Sequence, residues 1–241
     1  MIYKESIGLV GGFGGFATLD FFRRLLNAFN TGWEREYPHI LMDNDFTMPS
    51  RTKSLLYGDD LDQVKEMIAA SNQRLIEAGA DYIIWVCNTA HLFLQDVYDR
   101  VPGSEYRILD IVDKMGKRLQ EENVKKCFIM AAEASLKWHL FDDKFAPYGI
   151  QVYSPSEADW SVIRNEFVEA VKQDKVTEEV KKHFIQFIRD RSSEVKGCDE
   201  KIHVVLGCTE LPLLADEYDG DDIVFHDPLE NILDWLKKKL R

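Results

Sequence analysis

The sequence predicts an α/β protein of two pseudo-symmetric lobes, each an open parallel sheet flanked by helices. Two observations carry this. Short apolar runs alternate with amphipathic stretches along the whole chain, the pattern of strands joined by helical crossovers. Small-residue turns also recur at one spacing. Gly11 stands 76 positions before Cys87 (87 − 11), and Ala132 stands 76 before Cys208 (208 − 132). The two cysteines are 121 apart (208 − 87), about half the chain. The repeat lies in the architecture rather than residue by residue, and it reads as an internal duplication.

In order along the chain, the apolar runs fall at 7–10, 40–42, 82–86, 108–109, 127–130, 152–153, 203–206 and 223–225. Between the second and third, Leu61, Val64, Ile68 and Leu75 share one helical face. Farther on, Phe167, Val171, Val180, Phe184 and Ile188 suggest two helices broken near 174–177. Segment 43–60 holds Asn44, Pro49, Arg51, Lys53 and Gly58 with little periodicity. It reads as a long loop, of the kind that serves as a lid or stays disordered. The first lobe is expected to hold 1–111 and the second 112–222. Residues 223–241 follow the completed second unit and are expected to return to the first lobe as a final strand and helix.

Bulk properties narrow the function. The 241 residues carry 30 basic and 42 acidic side chains, a net charge of −12, which repels phosphate backbones and argues against a nucleic-acid partner. A local arginine can still hold an anionic substrate. No apolar run reaches the ~18 residues of a membrane span. The N-terminus lacks the basic start and cleavage site of a signal peptide, so the cytoplasm is the expected location. There Cys87, Cys127, Cys198 and Cys208 are thiols first. None forms a Cys-x-x-Cys pair. Cys87 and His91 are four apart, but no second ligand pair accompanies them, so a metal site is not expected.

The chemistry points to two turns. Run 82–86 ends in Cys87-Asn88-Thr89-Ala90-His91, and run 203–206 ends in Gly207-Cys208-Thr209-Glu210-Leu211-Pro212. In each, a buried strand reaches a cysteine, then residues with capping chemistry, then a helix. Ligands of open α/β sheets bind off the carboxyl ends of the strands, so both thiols belong at the functional edge. A helix N-terminus there would favour the thiolate. A cysteine is as often a small buried hydrophobe; it is the pairing of two such turns that favours function. Cys127, inside a run, reads as core, and Cys198 as an exposed loop residue.

The motifs resemble those of the aspartate/glutamate racemase family, over nearly the whole length. Residues 11–18, Gly-Gly-Phe-Gly-Gly-Phe-Ala-Thr, are similar to that family's Gly-Gly-Met-Gly-Pro-x-Ala-Thr. Pro49-Ser50-Arg51-Thr52 is similar to Pro-Asp-Arg-Thr, and both cysteine turns match. The Glu210-Leu211-Pro212 ending looks like the aspartate racemase branch. The resemblance implies two flavodoxin-like halves with the active site in the cleft between them, a homodimer, no cofactor, and an amino-acid substrate. It implies two-base racemisation, with Cys87 and Cys208 exchanging thiolate and thiol roles on opposite faces of the α-carbon. Backbone N–H groups of Gly12, Phe13 and Gly14 and of both cysteine turns would stabilise the developing charge. Asn88, Thr89, Ser135 and Thr209 would add side-chain contacts. Arg51 would pair with a substrate carboxylate; its commoner fate is an exposed loop charge. His91 would tune Cys87 or cap its helix, and Glu210 would bind the amine or steady the helix start.

One turn departs from the family. Its second-half Ala-Thr-x-Gly-Thr, which helps hold the distal carboxylate, is here Ala131-Ala132-Glu133-Ala134-Ser135. A hydroxyl and a glycine are missing and an acid is added, which bears on the substrate more than on the reaction. Three rivals remain. Gly12–Ala17 fits the dinucleotide pattern G-x-G-x-x-A with Asp43 as ribose acid, the mark of an NAD-dependent oxidoreductase, but explains neither cysteine turn. A hydantoin racemase, cis–trans isomerase or decarboxylase would share the fold; retention of both thiols favours racemisation. A non-catalytic two-lobed ligand-binding protein would need no paired thiols.

Overall fold

The structure is a computed structural model that describes residues 3–192, 195, 201–216 and 218–240; Cys198 lies outside them. The chain divides into two compact units, Met1–Ile111 with Ile232–Arg241, and Val112–Asn231. No helix among the described residues is long and apolar enough to cross a membrane.

The first unit holds a parallel sheet of β1 (Ser6–Val10), β2 (His39–Asp43) and β3 (Tyr82–Trp85), in the order β2-β1-β3. All five residues of β1 are buried, as expected of a central strand covered on both faces. The run at 108–109 contributes only one bridge, Ile108 beside Ile83. The helix Leu61–Glu77 buries Val64, Ile68 and Leu75, the face its periodicity marks out. It also places Asn72, whose side-chain oxygen accepts from the Trp85 indole at 3.0 Å, so the end of β3 is pinned from below.

The segment expected to be a loop contains a helix, Arg51–Tyr57. Ser50 caps its start by accepting from the Lys53 N–H, and Gly58 ends it in the left-handed region. These end signals are local and legible; seven residues are too few for periodicity to show.

The second unit holds β4 (Lys126–Ala131), β5 (Gln151–Tyr153), β6 (Ile202–Gly207) and β7 (Ile223–His226), all parallel, in the order β5-β4-β6-β7. The strand at 223–226 therefore pairs with β6 in this sheet and does not return to the first lobe. The expected 112–222 boundary cuts through that pairing. Only the later part of the helix Pro228–Lys239, from Ile232, groups with the first unit. There Trp235 packs edge-on against Tyr82, 5.4 Å between ring centroids.

Two helical stretches separated near 174 cover the second sheet. The second is Glu178–Ser192, while the first widens into a π-helical turn over Ile163–Val168. Phe167 packs edge-to-face on Phe184 and Phe187, with centroids 5.2 and 5.4 Å away, and these rings fill the core beside Phe128 and Val204.

Candidate active site

In both sheets the turn after the strand beside the leading strand is the one of interest. Cys87 follows β3, which pairs with β1, and Cys208 follows β6, which pairs with β4. Both are free thiols, Cys87 buried and Cys208 partly exposed. Cys127 lies within β4 with no exposure, and burial pushes its thiol up to about 12, so it is inert core.

The Cys87 turn is held by His91. A short 3-10 helix, Thr89–Phe93, follows instead of an immediate α-helix, and it returns His91 beneath the cysteine. His91 Nε2 accepts from the Ile111 N–H at 3.3 Å, so Nδ1 carries the proton and donates to the Cys87 carbonyl at 3.0 Å. The imidazole is thus neutral, 3 % exposed, and braces the backbone of the cysteine; the N–H it accepts from opens the helix Ile111–Glu121, not the helix that follows Cys87. Asn88 is 2 % exposed, and neither its amide oxygen nor its amide nitrogen has a hydrogen-bond partner. A buried amide left unpaired costs free energy unless something else completes it. Thr89 is buried beside it.

The Cys208 turn carries a carboxylate where the first carries an imidazole. Cys208 Sγ donates to Glu210 Oε2 at 2.9 Å, and the Thr209 hydroxyl donates to the same oxygen at 3.4 Å. Glu210 is 4 % exposed and does not cap the helix Pro212–Ala215. Gly207 is required here, because a Cβ would stand 2.8 Å from that of Ala131 and 2.7 Å from the Phe141 ring.

Gly12 and Arg51 belong to one assembly in the first unit. Gly12 has φ +77, and a Cβ on it would meet the Asp45 carbonyl at 2.2 Å. Its N–H donates to Asn44 Oδ1 at 2.5 Å, and the Gly11 N–H donates to the Asp43 carbonyl at 2.8 Å. The Gly12 N–H expected to face a substrate is therefore committed to Asn44, a partner 32 residues on that no local pattern signals. The Arg51 guanidinium donates to the Phe13 carbonyl at 2.6 Å and to the Pro49 carbonyl at 3.0 Å, and it stacks 4.8 Å over the Phe13 ring. Its buried Nε has no partner. Arg51 thus clamps the glycine turn at Phe13 and Gly14, with spare donors left on its fork. Asp43 is salt-bridged to Arg74 at 2.6 Å. The two groups that a dinucleotide reading needs, a free turn N–H at Gly12 and a free acid at Asp43, are both engaged.

In the second unit Ser135 is buried within the helix Glu133–Lys137. Glu133, the acid added to this turn, is paired with Arg164, an arginine that sequence reasoning passed over.

A family model described as Asp/Glu/hydantoin racemase matches residues 10–226, from the glycine turn to the end of β7. The chain belongs to that family. It is accordingly an enzyme of the racemase class, an isomerase. A curated relative, the broad specificity amino-acid racemase of Bacillus subtilis (strain 168), is 24 % identical over 177 residues, 69 % of this chain and 71 % of the relative. Among solved structures, the aspartate racemase of Picrophilus torridus is similar with a TM-score of 0.81 at 21 % identity, covering 98 % of this chain and 94 % of that one. The glutamate racemase of Francisella tularensis subsp. tularensis SCHU S4, in complex with D-glutamate, is similar with a TM-score of 0.69 at 19 % identity, covering 98 % and 81 %. At these identities the structures bear on the fold. Both family-like cysteine turns lie inside the matched range.

Proposed function

We propose that the protein racemises an acidic or closely related amino acid without a cofactor, using Cys87 and Cys208 as paired acid and base. The observation that carries this reading is the placement of a free thiol two residues beyond β3 and another directly after β6, equivalent strands of the two sheets. Inversion of an α-carbon needs a base on one face and an acid on the other. One thiolate takes the α-proton, and the electron pair left on carbon delocalises into the carboxylate. The other thiol then donates its proton to the opposite face. The reverse reaction exchanges the roles, so the cycle needs no redox partner.

The unpaired amide of Asn88 supports a ligand beside Cys87, because a substrate carboxylate or ammonium would complete it. Spare N–H groups on Arg51 suit a substrate carboxylate. Thr89, Ser135 and Thr209 offer hydroxyls at the same strand ends. Glu210 meets the Cys208 thiol itself, which favours a role in orienting that thiol over binding the amine. The reading extends to a homodimer in the cytoplasm, which sedimentation of the purified chain tests for assembly.

The test is incubation of D- and L-aspartate and D- and L-glutamate with the enzyme in D₂O. Exchange of the α-proton by NMR with loss of optical rotation is expected. No exchange across a broad amino-acid panel would sink the proposal.

A further inference from the structure

β4 ends at Ala131, which pairs in register with Gly207, the residue before Cys208. Two positions on, Glu133 opens the turn at the same edge of the sheet. Both of its carboxylate oxygens accept from Arg164 Nη1, at 2.9 and 2.8 Å. Arg164 Nε donates to Asn165 Oδ1 at 3.2 Å, and Nη2 makes no hydrogen bond among the described residues. The Glu133 side chain is 12 % exposed and that of Arg164 is 46 %. Arg164 sits on the π-helical turn Ile163–Val168, a geometry that recurs at functional sites.

We propose that the Glu133–Arg164 pair reads the side-chain end of the substrate, and that it accepts a carboxamide about as readily as a carboxylate. The inference rests on the racemase reading above and adds the substrate class. Ligands of open parallel sheets bind off the carboxyl ends of the strands, where Glu133 stands beside the strand of Cys208. An arginine alone would select strongly for a second carboxylate. Here Glu133 carries a full negative charge within hydrogen-bond distance of that arginine, so the pair is close to neutral. It offers donors on Nη2 and acceptors on Glu133. A carboxamide has one group of each kind and complements both. A carboxylate has only acceptors; it gains from Arg164 and loses to Glu133.

The experiment compares kcat/KM for aspartate against asparagine, and for glutamate against glutamine, in the wild type, Glu133→Gln, Arg164→Gln and Arg164→Lys. The wild-type acid-to-amide ratio is expected to lie within about tenfold of one. Glu133→Gln leaves the arginine uncompensated and should raise the ratio about tenfold, chiefly through KM of the acid. Arg164→Gln leaves the carboxylate uncompensated and should lower it by about the same factor. Arg164→Lys keeps the charge and should stay near the wild type. A ratio within one variant does not depend on how much of it is folded, so a poorly folding variant still reports. A wild-type preference for the acid above about a hundredfold, or a ratio unmoved in both Glu133→Gln and Arg164→Gln, overturns the role of the pair and leaves the racemase reading standing. No α-proton exchange by the wild type with any amino acid overturns both.

Discussion

Cys87 and Cys208 follow equivalent strands of their sheets, yet their surroundings differ in kind. Around Cys87 the fixing contact goes to the backbone: neutral His91 holds the carbonyl, and the thiol itself has no carboxylate partner in its own turn. Around Cys208 the fixing contact goes to the sulfur, which donates to Glu210. The two sheets thus place both thiols after equivalent strands while giving them different hydrogen-bond surroundings.

The strongest way to break the comparison is to remove each sulfur in turn. Cys87→Ser and Cys208→Ser should each lower racemisation by about a thousandfold or more, because a hydroxyl neither ionises nor donates comparably near neutral pH. The equilibrium constant between enantiomers is one, so kcat/KM must fall equally in both directions, which polarimetry on each enantiomer checks. If either variant keeps near-full activity, its cysteine is not a base and the equivalence is only architectural.

The sheets also differ at their edges, and acid should expose it. The first sheet meets Ile108 through one bridge, whereas the second gains a full strand, β7. His226 on β7 faces His203 on β6, Nε2 to Nδ1 at 2.9 Å, with Glu122 at 3.6 Å and Arg118 ion-paired to Glu122. Burial first, and then the positive charge of His203, push the His226 imidazole from 6.5 down to about 4. Above about pH 6.5 the folded and unfolded chains both hold it neutral, and stability is complete. Between about 6.5 and 4 the unfolded chain takes up a proton that the folded chain refuses, so stability falls with pH. The full gap is worth about 3 kcal/mol. Urea unfolding at pH 7 and pH 4.5 should show most of that loss in the wild type and little of it in His226→Gln.

His91→Leu tests the Cys87 side directly. It orphans two buried backbone groups, the Cys87 carbonyl and the Ile111 N–H, and should cost about 2 kcal/mol of stability with a fall in kcat. Unchanged stability would mean that His91 does not brace the turn.

What could be read from the sequence was what is local. Runs such as 203–206 are buried on both faces and carry their own signature, and the two cysteines stand out by following such runs. Contacts made across tens of residues left no local mark. Asn44 on the Gly12 N–H, Arg74 on Asp43 and Arg164 on Glu133 each join residues about thirty positions apart. The run at 223–225 was legible as a strand, but not its sheet, because pairing with β6 depends on register rather than composition. The helix Arg51–Tyr57 was missed because seven residues show too little periodicity, although Ser50 and Gly58 mark both its ends.

The mildest change sharpens the comparison most. Glu210→Gln keeps an acceptor for the Cys208 thiol and removes the charge, exchanging a charge-assisted hydrogen bond for a neutral one at a cost of about 1 kcal/mol, or about fivefold to tenfold in kcat/KM. That loss must again be equal in both directions. The asymmetry appears in primary deuterium isotope effects measured with α-deuterated D- and L-substrate. Slowing transfers at Cys208 makes proton removal more rate-limiting for the enantiomer that Cys208 deprotonates, so its isotope effect should rise. For the other enantiomer, Cys87 removes the proton and the slowed step comes afterwards, so its isotope effect should fall. Divergence of the two values assigns each cysteine to its enantiomer. Isotope effects unchanged from the wild type in Glu210→Gln would mean that the carboxylate on Cys208 plays no part in its proton transfers, and the contrast between the two turns would then be one of packing alone.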